Sequence, residues 1–140
     1  MIVNIVSNEK LNYETQGACA FDFKASETYC INPWEMVVVD TGTVIQVPSG
    51  YMLQTASRSS TFKKLWLILV NAVWYIDQDY HWPTDTIKFQ YLNLSWEQVW
   101  INYWDRIGQG VFLKMERADF HYCDKIKDED RGGIGSTWLN

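Results

Sequence analysis

Apolar residues in this chain recur at every second position, in runs short enough and interrupted often enough to point to one kind of element. Val37 and Val39, Val44 to Val47, Ile87 with Phe89 and Tyr91, Val99 with Ile101, and Val111 to Met115 all show the pattern. A period of two puts alternate side chains on one face of an extended backbone, so each run predicts a strand with one buried side. Turn signals fall between them at Asn32-Pro33, Thr41-Gly42, Pro48-Ser49-Gly50 and Trp82-Pro83-Thr84-Asp85, and keep each strand short. The expectation is an all-β jelly roll or β-barrel-like fold. Only Ser59 to Leu65 reads as a short helix, with Ser59 or Ser60 placed to cap it.

A length of 140 residues gives one domain with a real core and leaves no room for a complete doubly wound dehydrogenase. Twelve basic against seventeen acidic residues, a formal charge of -5, disfavour a broad basic face for nucleic acid, so any phosphate must be met locally. Cys19, Cys30 and Cys123 cannot all pair within one chain and show no C-x-x-C spacing, which reads as reduced thiols rather than a disulfide framework or zinc ribbon. Met1 to Lys10 has no basic segment followed by an apolar run, so no leader is expected there, and the longest apolar stretch, Leu65 to Val70, is far short of the roughly 20 residues that span a bilayer. A cytoplasmic protein that binds no membrane is expected. The body is expected to run from 1 to 124. From 125 to 140 a charged run and the glycine-rich Arg131-Gly-Gly-Ile-Gly-Ser-Thr carry too little apolar surface for a core, and predict a flexible tail that orders on a ligand.

Three local clusters carry chemistry that packing does not require. Ser57-Arg58-Ser59-Ser60 brings a guanidinium and hydroxyls to a predicted helix start, a setting that suits an anion, although an N-cap beside a surface arginine has the same composition. Asn71 followed by Asp77-Gln78-Asp79-Tyr80 puts two carboxylates and a phenol in a strand-to-turn segment. A solvated turn explains that arrangement, and so does an aspartate that activates a water beside an aromatic ring packed on a sugar. In the tail, glycines let backbone N–H groups converge on phosphate oxygens while Arg131, Ser136 and Thr137 complete the cradle. That loop lacks the terminal lysine of a Walker motif and follows no strand, which argues against ATPase machinery.

The order of the clusters is more specific than any one of them. Gly17-Ala-Cys-Ala-Phe-Asp-Phe, Ser57-Arg-Ser-Ser, Asn71-x5-Asp-x-Asp-Tyr, Asp105-Arg-Ile-Gly-Gln and the Arg131 tail together resemble the five ordered motifs of the trimeric dUTPase family, from about Gly17 to the C-terminus. The resemblance implies a jelly-roll subunit, a homotrimer with active sites shared between subunits, and Mg-dependent hydrolysis of dUTP to dUMP and pyrophosphate. It also implies roles. Asp22 would hold waters around the Mg bound to the triphosphate, and Arg58, Ser59 and Ser60 would lie on the phosphates. Asn71 and the Asp77 to Tyr80 hairpin would form the nucleoside pocket, with Asp77 orienting the attacking water and Tyr80 excluding a 2′-hydroxyl. Gln109 would contact phosphates, and Arg131, Ser136 and Thr137 would close over them. Such hydrolysis needs an in-line water and dispersed charge stabilisation rather than a protein nucleophile.

The chain departs from that pattern in two ways. Ile134 stands where the family's tail normally has an aromatic. Trp34, Trp66, Trp74, Trp82, Trp104 and Trp138 stand where related sequences commonly have glycine, which supplies φ > 0 and close backbone approach. As core aromatics Trp66, between Leu65 and Leu67, fits well, and Trp82 and Trp104, at turns, fit poorly. A gene from a lineage that reads UGA as glycine, translated with UGA as tryptophan, would give this substitution pattern. Two other functions share the scaffold: a dCTP deaminase, which needs a glutamate where this chain has Gln90, and a non-catalytic nucleotide-binding or regulatory module.

Overall fold

The alternation in Lys88–Asn93 becomes a central strand whose Phe89, Tyr91 and Asn93 are buried, and the rest of the core assembles around it. In chain order, the computed structural model contains β1 (Asn4–Val6), β2 (Phe21–Lys24), β3 (Tyr29–Ile31), β4 (Met36–Asp40), β5 (Val44–Gln46), β6 (Tyr51–Ala56), α1 (Thr61–Leu65), β7 (Leu67–Leu69), β8 (Val73–Ile76), β9 (Lys88–Asn93), β10 (Val99–Ile101) and β11 (Arg106–Lys114). The structure describes residues 1–127, 129 and 132. All strand pairs among them are antiparallel, in a four-stranded sheet of order β2-β11-β6-β8, a three-stranded sheet β4-β9-β7, and the two-stranded pairs β1-β5 and β3-β10. Apart from one short helix this is the all-β architecture that the period-two runs predict.

Most partners lie far apart in sequence, as with β2 and β11, so the core is closed by long-range pairing rather than by hairpins. Phe23 from the four-stranded sheet meets Phe89 from the three-stranded one at 5.7 Å between ring centroids, and this contact joins the two layers. Only glycine can stand opposite it: a Cβ on Gly108 would lie 2.0 Å from a carbon of the Phe89 ring. Asn93 crosslinks the far end of the core, its Nδ2 donating to the carbonyls of Ile31 (3.0 Å) and Glu97 (2.8 Å). A buried amide with its donors satisfied fixes the fold locally instead of destabilising it.

Two expectations are corrected. Ser60 is the N-cap of α1, yet no side-chain hydrogen bond caps the helix; Ser60 has helical φ and ψ of -91° and -9°, so the chain enters without the extended geometry that a capping hydroxyl needs. Trp66 is not a core residue but the left-handed residue that ends α1, 55% exposed. Beyond β11, residues 115–127 form no helix or strand, and Phe120, Tyr122 and Ile126 are exposed.

Candidate active site

Strand pairing brings three of the sequence-predicted residues together. In the register of the four-stranded sheet, Asp22 on β2 faces Gln109 on β11, which faces Ala56 at the end of β6. Two residues past Ala56, Arg58 turns back so that its Nε donates to Asp22 Oδ1 at 2.9 Å. Gln109 Nε2 donates to the Ser57 carbonyl at 3.3 Å, pinning the same segment. Asp22, Arg58 and Gln109 therefore form one cluster, supplied by three separate strands or strand ends.

A fourth member escaped the sequence reading. Arg106, at the start of β11, donates from Nη1 to Asp22 Oδ2 at 3.2 Å and pairs through Nη2 with Glu14 at 3.0 Å. One carboxylate thus holds two guanidiniums, with the aspartate side chain 14% exposed and the arginines 32% and 40%. The sequence signal was present in Asp105-Arg-Ile-Gly-Gln, but only pairing of β11 with β2 reveals that Arg106 and Arg58 meet the same acid. Arg58, Arg106 and Lys64 open onto a cleft of about 310 Å³ that also includes Thr61 and Asp105. These three cations suit an anion chemically, although Asp105 shares the cleft and Asp22 already pairs with two of them. Ser59 and Ser60 sit at the entrance to α1, which at five residues is too short to contribute much dipole.

The remaining described residues of the predicted site flank the two ends of β8. Asn71 is in the tight turn between β7 and β8, where Val73 N–H donates to its carbonyl at 2.6 Å. Asp77 to Tyr80 form the turn that follows β8, closed by Tyr80 N–H to the Asp77 carbonyl at 3.3 Å. Gln78 anchors that turn by donating to the Tyr51 carbonyl at 3.1 Å. Asp77 is exposed, and among the described residues its carboxylate has no hydrogen-bond partner; it lines an open depression of about 430 Å³ with Asp79, Met115 and Arg117. Tyr80 packs against the core, with its ring edge-on to Trp74 at 5.2 Å and its hydroxyl donating to the Thr86 carbonyl at 3.2 Å. Burial, and then the nearby Asp85 and Asp40 carboxylates, push its phenol above the ordinary value, so it stays protonated. Arg131, Ser136 and Thr137 lie outside the described residues.

Asn71 lies just before the Ala56–Val73 pair, at the Arg58 end of β8, whereas Asp77 and Tyr80 lie at the opposite end of that strand. From Asp22 to the β8 row is three strand spacings, roughly 14 Å, and from Val73 to Asp77 is four rises along the strand, roughly 13 Å, giving about 19 Å between Asp22 and Asp77. Among the described residues no three His, Cys, Asp or Glu side chains converge as a chelating set. Asp22 is a single carboxylate already held by two arginines, a donor set that cannot strip a metal of its water but can accept hydrogen bonds from the water shell of a metal that arrives on phosphates.

Comparison with known proteins gives a consistent result. A deoxyuridine 5′-triphosphate nucleotidohydrolase of Finegoldia magna is 34% identical over 140 residues, covering 97% of this chain and 96% of its own. The Helicobacter pylori protein of the same name is 33% identical over 130 residues, covering 91% and 88%. The crystal structure of dUTPase from Streptococcus mutans superposes with a TM-score of 0.77 at 28% identity, covering 84% of this chain and 98% of that one. With the dUTPase family model matching residues 7–138, and with relatives a third identical over nearly its whole length, the chain belongs to the dUTPase family.

Proposed function

We propose that the protein hydrolyses dUTP to dUMP and pyrophosphate as a cytoplasmic homotrimer, with Mg carried on the triphosphate. The observation that carries this reading is the cluster of Asp22, Arg58 and Gln109, joined by Arg106, whose two arginines line a cleft together with Lys64. Arg58, Ser59, Ser60 and Gln109 would bind the triphosphate and disperse its charge, and Arg131, Ser136 and Thr137 would close over it. Mg supplies further neutralisation of phosphate charge when bound, and Asp22 would hold its waters. At the ends of β8, Tyr80 packs on the deoxyribose, Asn71 borders the nucleoside, and Asp77 orients a water and accepts its proton as the oxygen attacks phosphorus and the anhydride between the α- and β-phosphates breaks.

A base must lie within hydrogen-bond reach of the water it activates, and the water must lie in line with the phosphate. The roughly 19 Å between Asp77 and Asp22 argues against that geometry within one subunit. A closed three-fold ring resolves it by presenting Asp77 of one copy to Arg58 of the next. Purified protein should therefore release pyrophosphate from dUTP in the presence of Mg, spare UTP and dCTP, and scatter light as a particle of about three chain masses. Binding of dUTP without turnover would point to a regulatory module, production of dUTP from dCTP would point to a deaminase, and a monomer at micromolar concentration would end the shared-site reading.

A further inference from the structure

Four non-glycine residues among those described have left-handed backbone, and three are tryptophan: Trp34 (φ 61°), Trp66 (φ 54°) and Trp104 (φ 70°), with Ala72 (φ 56°) the fourth. A positive φ sets the Cβ of an L-residue against its own backbone, and a bulky side chain there is a true outlier. Each of the three conformations is demanded by main-chain bonding. Trp66 ends α1 as its left-handed C-cap, its N–H donating to the Phe62 carbonyl at 2.9 Å and its carbonyl accepting from Leu94 at 3.0 Å. That helix-ending conformation belongs mostly to glycine. Trp34 is the third residue of the turn Asn32–Glu35, in which Glu35 N–H donates to the Asn32 carbonyl at 3.1 Å. Trp104 is the third residue of Asn102–Asp105, in which Asp105 N–H donates to Asn102 at 3.0 Å. A turn with positive φ at its third residue, above all one with proline second, calls for glycine there.

The chain contains its own control. In Pro48-Ser49-Gly50-Tyr51 the same turn closes by Tyr51 N–H to Pro48 at 3.1 Å, and its third residue is Gly50 with φ 78°. Nothing in the packing explains why tryptophan should replace glycine at the other sites. Trp34, Trp66 and Trp104 are 53%, 55% and 42% exposed, and their ring contacts are to the neighbouring surface aromatics Trp96, Phe62 and Tyr103. Lys24 over Trp104 at 4.6 Å is a surface cation–π contact. Strained backbone persists only where the surroundings over-determine it, and here the side chain contributes nothing to the core.

We infer that positions 34, 66 and 104 are glycine in the chain as its source organism makes it, encoded by UGA read as glycine, and that tryptophan stands there through translation of those codons by a different code. Tryptophan is the residue that UGA yields wherever it is sense for an aromatic, which explains why the misfit residues are this one type rather than a mixture of bulky side chains. Tandem mass spectrometry of the peptides spanning the three positions, from protein purified from its source, together with their codons, tests the inference: glycine on UGA is expected, and tryptophan on UGG at any of the three overturns it. In recombinant protein the triple change Trp34→Gly, Trp66→Gly and Trp104→Gly should raise Tm by about 5 °C as left-handed strain is released. Trp100→Gly, in β10 and paired with Cys30, should lower Tm, because there glycine only loosens a strand. A triple variant no more stable than the parent also overturns the inference.

Discussion

If one subunit supplies Arg58 and its neighbour Asp77, two inactive chains should repair each other. Asp77→Asn keeps the shape of the turn and removes the base, so homotrimers of that chain should retain roughly 10⁻² to 10⁻⁴ of the parent turnover. Arg58→Ala removes a phosphate ligand and should retain roughly 10⁻² to 10⁻³. Both should fold. Asp77 has no side-chain partner to lose among the described residues, and Asp22, after loss of Arg58, keeps its bond from Arg106 at 3.2 Å. The Arg58 side chain is 32% exposed, so its ion pair contributes at most about 1 kcal/mol once solvent screening is counted.

When the two variants are unfolded together in equal amounts and refolded, chains distribute at random around each ring. A site built from Arg58 of one copy and Asp77 of the next is intact only when the first copy is the Asp77→Asn chain and the second is the Arg58→Ala chain, a chance of about one in four. Pyrophosphate release by the mixture should therefore reach about a quarter of the parent rate, at least tenfold above either variant alone. If both residues came from the same chain no intact site could form, and the mixture would show only the mean of the two residual activities. That second result would refute the 19 Å argument and the shared site with it.

Other consequences are as direct. Asp77→Asn on its own should leave Tm unchanged and dUTP affinity by calorimetry nearly so, while kcat falls about 10²–10⁴-fold; an unchanged kcat removes Asp77 from the chemistry. Gly108→Ala should cost about 3 kcal/mol, or roughly 10 °C in Tm, because its Cβ would lie 2.0 and 2.2 Å from two carbons of the buried Phe89 ring, and a Tm within a degree of the parent would show that the ring can move aside. Burial holds the Tyr91 phenol above its ordinary value of 10.0, so the folded state keeps a proton that the unfolded chain gives up; stability is full below about pH 10 and is lost as pH rises toward the folded value. Tyr91→Phe should flatten that alkaline decline in urea titrations while lowering stability at pH 8 by about 1–3 kcal/mol, because the Ile107 carbonyl loses its donor. Deleting residues from Arg131 onward should abolish most turnover and leave the thermal transition of the β body in place, and unchanged turnover would make the tail a linker.

What could be read from the sequence follows the range of the interaction that carries it. Phe89 and Tyr91 are buried between the less buried Lys88, Gln90 and Leu92, so β9 is visible locally, while β4, β5, β10 and β11 are signalled by their apolar runs, although burial in β5 and β11 does not alternate strictly. β7 was hidden inside the apolar run Leu65 to Val70, where helix end, cap and strand follow one another without a polar break. In β8 the run Val-Trp-Tyr-Ile shows no alternation to mark a strand. At the site, Asp22, Arg58 and Gln109 were named from motif order, yet their contact is a property of the β2-β11-β6 register, which no local pattern encodes. Arg106 was missed for the same reason, since a surface arginine and one that shares a carboxylate with Arg58 are identical in sequence.

The left-handed tryptophans bear on that cluster through its two cations. Arg58 leads into α1, which ends at Trp66, and the turn holding Trp104 leads through Asp105 into Arg106. Each guanidinium thus hangs on a segment whose neighbouring chain reversal is strained. Asp22 fixes both of them, at 2.9 and 3.2 Å, from a strand paired to β11, so it is the sheet rather than the turns that sets their position. Glycine at 66 and 104 should therefore stabilise the fold without moving the cluster, and dUTP affinity should change far less than Tm. A large change in affinity on Trp104→Gly would mean instead that the turn, and the Lys24 contact to its indole, helps place Arg106.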